Sequence, residues 1–177
     1  YLEEFNKNKN TDLVKTVNVH LEPMGLYSNK IKDIKQLENG AIIAVPNDPT
    51  NESRALDILV KEGLLTFKDV DFKTVVDIVE NPKNLKIKEL DAPQLPRVLD
   101  EVDAAIINTN YALSANLNPL KDAIIIESKD SPYANIIVVK KGNENKDSIK
   151  ALNEVINSNE IKTFINEKYQ GSIIEAF

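Results

Sequence analysis

The run Pro46-Asn47-Asp48-Pro49-Thr50-Asn51-Glu52-Ser53-Arg54 lies between an apolar stretch, 41–45, and the helical pattern of Ala55, Leu56, Leu59 and Val60. Read as strand, loop and helix, it plants a guanidinium in the first turn of a helix. Free N–H groups point outward there, so a cation is disfavoured by about 0.3–1 kcal/mol unless an anion joins it. Arg54 therefore reads as a holder of a carboxylate or phosphate. The competing reading is an exposed pair with Glu52 or Asp48, which is common and cheap. Asn108 and Asn110 follow the apolar stretch 102–107 directly, and an amide both donates and accepts. Glu22, beside the break Pro23-Met24-Gly25, offers an acceptor for an ammonium. A planar fork, two amides and a carboxylate are the complementary groups for a zwitterion. Asparagine after a strand is also an ordinary turn former, so each signal is weak by itself.

Other chemistries lack their parts. The chain has no cysteine and one histidine, His20, which its neighbours Val19 and Leu21 place on a strand. Thiolate metal sites, His-based zinc sites and serine or cysteine triads are thereby excluded. The five glycines are too scattered for a dinucleotide fingerprint or a phosphate-binding loop. Asp100-Glu101-Val102-Asp103 is the densest acidic group; it reads as a solvated turn, with a paired-carboxylate hydrolytic site as the alternative. A net charge of -6 and a pI near 5.0, with lysines dispersed, argue against nucleic acid as a partner. No cofactor or metal is implied, and no stretch approaches the roughly 20 apolar residues that span a bilayer.

The elements that must position these groups follow from periodicity. Tyr1, Leu2 and Phe5 mark a helix over 1–9, and Val17, Val19 and Leu21 alternate as a strand over 13–21. The continuous apolar runs 41–45 and 102–107, with a weaker strand at 85–90, suit strands covered on both faces. A helix with Gly63 at its C-terminal end separates the first pair, and Asp91, with Gln94 three residues on, caps a short helix shaped by Pro93 and Pro96. Strand, helix, strand, helix, strand predicts a parallel sheet, whose ligands bind outside the carboxyl ends of its strands. The Asn47–Arg54 loop and the 108–110 turn then open on one edge. Strands at 123–126 and 135–139 and two amphipathic helices, the second capped by Ser158, close the chain.

Several blocks resemble one family in order. These are Val19-His20-Leu21-Glu22-Pro23-Met24-Gly25-Leu26-Tyr27-Ser28, Ala44-Val45-Pro46-Asn47-Asp48-Pro49-Thr50-Asn51-Glu52-Ser53-Arg54-Ala55-Leu56, Asp77-Ile78-Val79-Glu80-Asn81-Pro82-Lys83-Asn84-Leu85, Asp103-Ala104-Ala105-Ile106-Ile107-Asn108-Thr109-Asn110-Tyr111-Ala112 and Asp130-Ser131-Pro132-Tyr133-Ala134-Asn135. The chain is similar along essentially its whole length to the NlpA/MetQ family of methionine-binding lipoproteins, the solute-binding components of bacterial ABC importers. The resemblance implies an α/β, type II periplasmic-binding-protein fold of two lobes closing on an amino-acid ligand, with one lobe formed by 1–24 and 111–177 and the other by 25–110. It implies no enzymatic activity. Arg54 would clamp the ligand carboxylate, Asn108 the backbone polar groups with Asn110 nearby, and Glu22 would stand near the interlobe cleft. The ligand would be methionine or a methionine-containing dipeptide, the partner an ABC permease, and the location extracytoplasmic through an N-terminal lipid anchor absent from this chain. Family members begin with a lipidated cysteine, a tether and a strand-helix-strand unit that this sequence lacks. The expectation is an N-terminally truncated chain with an incomplete first lobe, prone to self-association at a sheet edge and weakened in methionine affinity. The effector-binding domain of a regulator is the alternative, which an upstream helix-turn-helix would mark.

Overall fold

In the computed structural model, which describes residues 1–177, the elements run in order α1 (Leu2–Lys9), β1 (Leu13–Leu21), β2 (Gly25–Tyr27), β3 (Ile42–Pro46), α2 (Pro49–Lys61), β4 (Thr66–Phe67), β5 (Ile78–Glu80) and β6 (Lys86–Leu90). After a 3-10 helix over Ala92–Val98 come β7 (Ala104–Ile107), α3 (Thr109–Ser114), α4 (Pro119–Asp122), β8 (Ile125–Ile126), β9 (Asn135–Lys140), α5 (Asp147–Ile156), α6 (Asn159–Tyr169) and β10 (Ile174–Glu175). The chain divides into two compact units, one of Tyr1–Glu22 with Ser128–Phe177 and the other of Pro23–Glu127.

The Pro23–Glu127 unit is built on a five-stranded sheet in the order β6-β3-β7-β2-β8. β3 pairs parallel with both β6 and β7, as the strand-helix-strand pattern requires. β2 and β8 add antiparallel strands beyond β7. Alternate residues of each strand face opposite sides, which gives two cores. Leu26, Ile43, Val45 and Ile106 pack with Leu56, Leu59 and Leu65 on the α2 side. Tyr27, Ala44, Ala105 and Ile107 pack with Leu95, Leu99 and Ala112 on the other. Both faces being covered explains why β3 and β7 read as unbroken apolar runs.

The second unit carries a three-stranded antiparallel sheet, β10-β1-β9. Its β1 has register shifts between Lys15 and Val17 and between Asn18 and His20, so its apolar alternation is only partial. α1 is fastened to β1 by Asn6, whose Nδ2 donates to Leu13 O at 2.8 Å while its Oδ1 accepts from Leu13 N–H at 2.9 Å. Ser158 caps α6 as expected, accepting from Ile161 N–H at 3.3 Å.

Three expectations change. Asp91 makes no side-chain cap to the helix after it. It accepts instead from Asn47 Nδ2 at 2.7 Å, tying together the ends of β3 and β6, while Pro93 and Pro96 disrupt α-helical bonding and the segment winds as a 3-10 helix. The short pair β4-β5 and strand β10 fall where the sequence carries no period to reveal them. The stretch 111–127, assigned to the other lobe from sequence, packs with the Pro23–Glu127 unit. The reason is β8, which pairs with β2 through Gly25↔Ile126 and Leu26↔Ile125.

Gly25 is required by close approach. A Cβ there would stand 2.9 Å from Cε2 and 3.0 Å from the hydroxyl of Tyr27, a ring that is almost wholly buried. Gly25→Ala is expected to destabilise the protein by about 1–3 kcal/mol through overpacking, read as a lower urea midpoint at unchanged slope.

Candidate functional site

Helix α2 begins with Pro49 at its first position, and Asp48 caps it by accepting from Asn51 N–H at 3.0 Å. Arg54 therefore lies in the second turn, beyond the unpaired N–H groups that the sequence reading had placed beside it. Nor does it turn back to Asp48 or Glu52 in solvent. Its side chain is 9% exposed and pairs with Glu127, itself 5% exposed. Arg54 Nε donates to Glu127 Oε1 at 2.9 Å and Oε2 at 3.1 Å, and Nη2 donates to Oε2. The same carboxylate accepts from Met24 N–H at 3.0 Å, and Glu127 N–H donates to Met24 O at 2.8 Å. Glu127 thus joins α2, the end of β8 and the Pro23-Met24 passage.

Asn108, at the carboxyl end of β7, donates from Nδ2 to Asn51 Oδ1 at 2.9 Å. Asn51 is oriented for this by its own Nδ2, which donates to both Asp48 oxygens at 3.0 and 2.9 Å. Residues three apart share a helix face, so Asn108 is brought to the face of α2 that also carries Arg54. Its Oδ1 is buried and without a hydrogen-bond partner. A buried acceptor left unpaired costs about 1–3 kcal/mol, which makes this atom a natural receiver for an external donor. Thr109 Oγ1 donates to Pro23 O, anchoring the turn to the Met24 passage.

The other two sequence candidates are placed differently. Asn110 is exposed on α3, where its carbonyl accepts from Ser114 Oγ at 2.8 Å. Glu22 belongs to the other unit, and its Oε1 stands 2.9 Å from His20 Nε2. Sequence reasoning missed Asn51 and Glu127. The signal for Glu127 was an apolar run, 123–126, that ends directly on a carboxylate.

The acidic group at 100–103 is structural. Asp103 Oδ2 accepts from Ile42 N–H at 2.7 Å and Oδ1 from Lys30 Nζ at 3.1 Å, while Asp100 accepts from Asn29 Nδ2 at 2.7 Å. The Ile42 N–H, more than the Lys30 ammonium, holds the Asp103 carboxyl below its ordinary range. A cavity lined by Lys30, Gln36, Glu38 and Asp103 opens at this amino end of β3 and β7, the edge opposite Asn47 and Asn108. Lys30 and Asp103 there are engaged with one another, and Asp103 with the backbone.

The chain matches the NlpA lipoprotein family over residues 1–177. The chain belongs to that family. It is 42% identical, over its whole length and 67% of the relative's, to the D-methionine-binding lipoprotein MetQ of Escherichia coli K12. It is 39% identical to the membrane lipoprotein TpN32 of Treponema pallidum, covering 97% of this chain and 65% of that one. Among solved structures it resembles a nutrient-binding protein from Burkholderia cenocepacia bound to methionine, with a TM-score of 0.95 and 48% identity over 100% of this chain and 76% of the other. An ABC transporter periplasmic substrate-binding protein from Coxiella burnetii gives a TM-score of 0.93 at 42% identity, covering 99% and 75%. The α/β fold of this NlpA-family chain is accordingly that of the periplasmic substrate-binding proteins, and the chain spans about two thirds of the curated relatives it matches.

Two side chains on α2 yield opposite tests. Arg54→Ala leaves a buried carboxylate unpaired and should lower folding stability by about 3–5 kcal/mol in urea melts, whereas the double variant Arg54→Met, Glu127→Leu should recover most of that loss. Glu52 is 3% exposed and accepts from Val75 N–H at 3.2 Å. Burial, then the nearby Glu89 charge, raise its pKa above the ordinary 4.5. A raised carboxyl contributes stability below its unfolded pKa and loses it as pH rises through the folded value. Glu52→Gln should therefore stabilise the protein at pH 7 and give no gain at pH 4, measured by urea unfolding at both.

Proposed function

We propose that this chain is the ligand-capturing part of an extracytoplasmic solute-binding protein serving an ABC importer, and that its ligand is methionine or a methionine-containing dipeptide. Chief support comes from the Arg54, Asn51 and Asn108 cluster at the carboxyl edge of β3 and β7, where a buried Asn108 Oδ1 awaits a donor. In this reading Arg54 receives the ligand carboxylate in the planar geometry that guanidinium favours. Asn108 Oδ1 accepts from the ligand ammonium and Asn110 lines the rim. Binding without covalent chemistry is all that such a site requires.

The family relatives named as methionine-binding lipoproteins and the methionine-bound neighbour support the choice of ligand. The lipoprotein names support an anchored, extracytoplasmic location and a membrane permease as the partner that receives the ligand. No helix is long and apolar enough to cross a membrane.

Calorimetric titration with L- and D-methionine is expected to give saturable binding of at least one enantiomer, and no heat from either would refute the proposal. Asn108→Leu removes the waiting acceptor and should weaken methionine by about tenfold or more. An unchanged dissociation constant would take Asn108 out of the site.

A further inference from the structure

Arg54 does not meet its ligand as a lone cation. Both oxygens of Glu127 already lie against its guanidinium, and both side chains are more than nine-tenths buried. The carboxylate is also fixed from a second direction by Met24 N–H, so it cannot swing aside without breaking a backbone-anchored bond. The pair is therefore electrically neutral and geometrically rigid. Asp48, which caps the same helix and turns Asn51, adds negative charge near that face.

We infer that Glu127 is a specificity-determining residue that makes the site select zwitterionic ligands over carboxylate anions, a deepening that rests on the functional reading above. A ligand carboxylate arriving at Arg54 makes two carboxylates share one guanidinium. In a water-poor site a second unpaired negative charge is costly, and like charges brought together discriminate strongly between partners. A ligand that brings its own ammonium restores neutrality. Asn108 Oδ1, buried and lacking a partner, supplies that ammonium with an acceptor. A monoanion of the same shape has nothing to offer that oxygen and leaves the extra charge standing. Arg54 thus supplies attraction, and Glu127 sets the condition under which attraction is accepted. The ligand class is an α-amino acid or a peptide with a free amino terminus, not a simple carboxylic acid.

The test compares methionine with its desamino analogue, which keeps the thioether chain and carboxylate but lacks the ammonium, on the purified protein and on Glu127→Gln. Glutamine keeps the shape and an acceptor for Met24 N–H while removing the charge. The wild type should prefer methionine, and the ratio of the two affinities should fall by about tenfold or more in Glu127→Gln, mainly because the analogue binds better. A ratio unchanged within about threefold overturns the inference. Failure of the wild type to bind methionine at all would refute the function proposed earlier, a different result. A second measurement needs no variant. Titrations in buffers of different ionisation enthalpy should show close to one proton taken up per analogue bound and close to none per methionine, because the anion binds only as a carboxylate in the site becomes protonated. Equal uptake for both ligands also overturns it.

Discussion

A buried ion pair organises this site. Two ions taken from water cost several kcal/mol each, and only close geometry with every lone pair used returns that cost. Arg54 and Glu127 meet the condition because three separate pieces of chain converge on one carboxylate: the second turn of α2, the end of β8, and the backbone at Met24. Remove any one and the others lose their reason for position. Well-packed apolar side chains could serve stability equally well, so the pair is more a device of position than of stability.

Around that pair, polar groups are passed from one to the next at the sheet's carboxyl edge. Asp48 caps α2 and turns Asn51; Asn51 turns Asn108; Asn108 is left with one acceptor facing no partner. The opposite edge shows what a satisfied counterpart looks like. Asp103 joins the starts of β3 and β7 through Ile42 N–H and closes on Lys30, with both carboxylate oxygens engaged.

Much of this was legible in the sequence where one local rule settled the matter. The apolar runs of β3 and β7, Gly63 after the end of α2 and Ser158 before α6 all announce themselves through burial, positive φ or capping. Arg54 was recognised as an anion holder from an N-terminal field that it does not feel, because Asp48 and Pro49 begin the helix a turn earlier than the argument assumed. Its real anion is 73 residues away in sequence, and no periodicity connects Arg54 to Glu127. The same limit hid Asn51 as a bridge to Asn108 and hid β10 as the partner of β1, since pairings of two-residue strands leave no pattern to count. Asn110 looked equivalent to Asn108 in sequence, yet two residues along, on a short helix, it is exposed to solvent.

The division of the chain into one continuous and one split unit has a consequence for how it assembles. Residues 23–127 form a single uninterrupted stretch whose strands find partners within it. The other unit must wait: β1 emerges first but pairs with β9, and Thr16 reaches across 121 positions to Ile137. Closing so long a loop is slow, and during synthesis the early strand spends that interval exposed. Residues 23–127 can therefore complete their strand pairing before β1 meets β9.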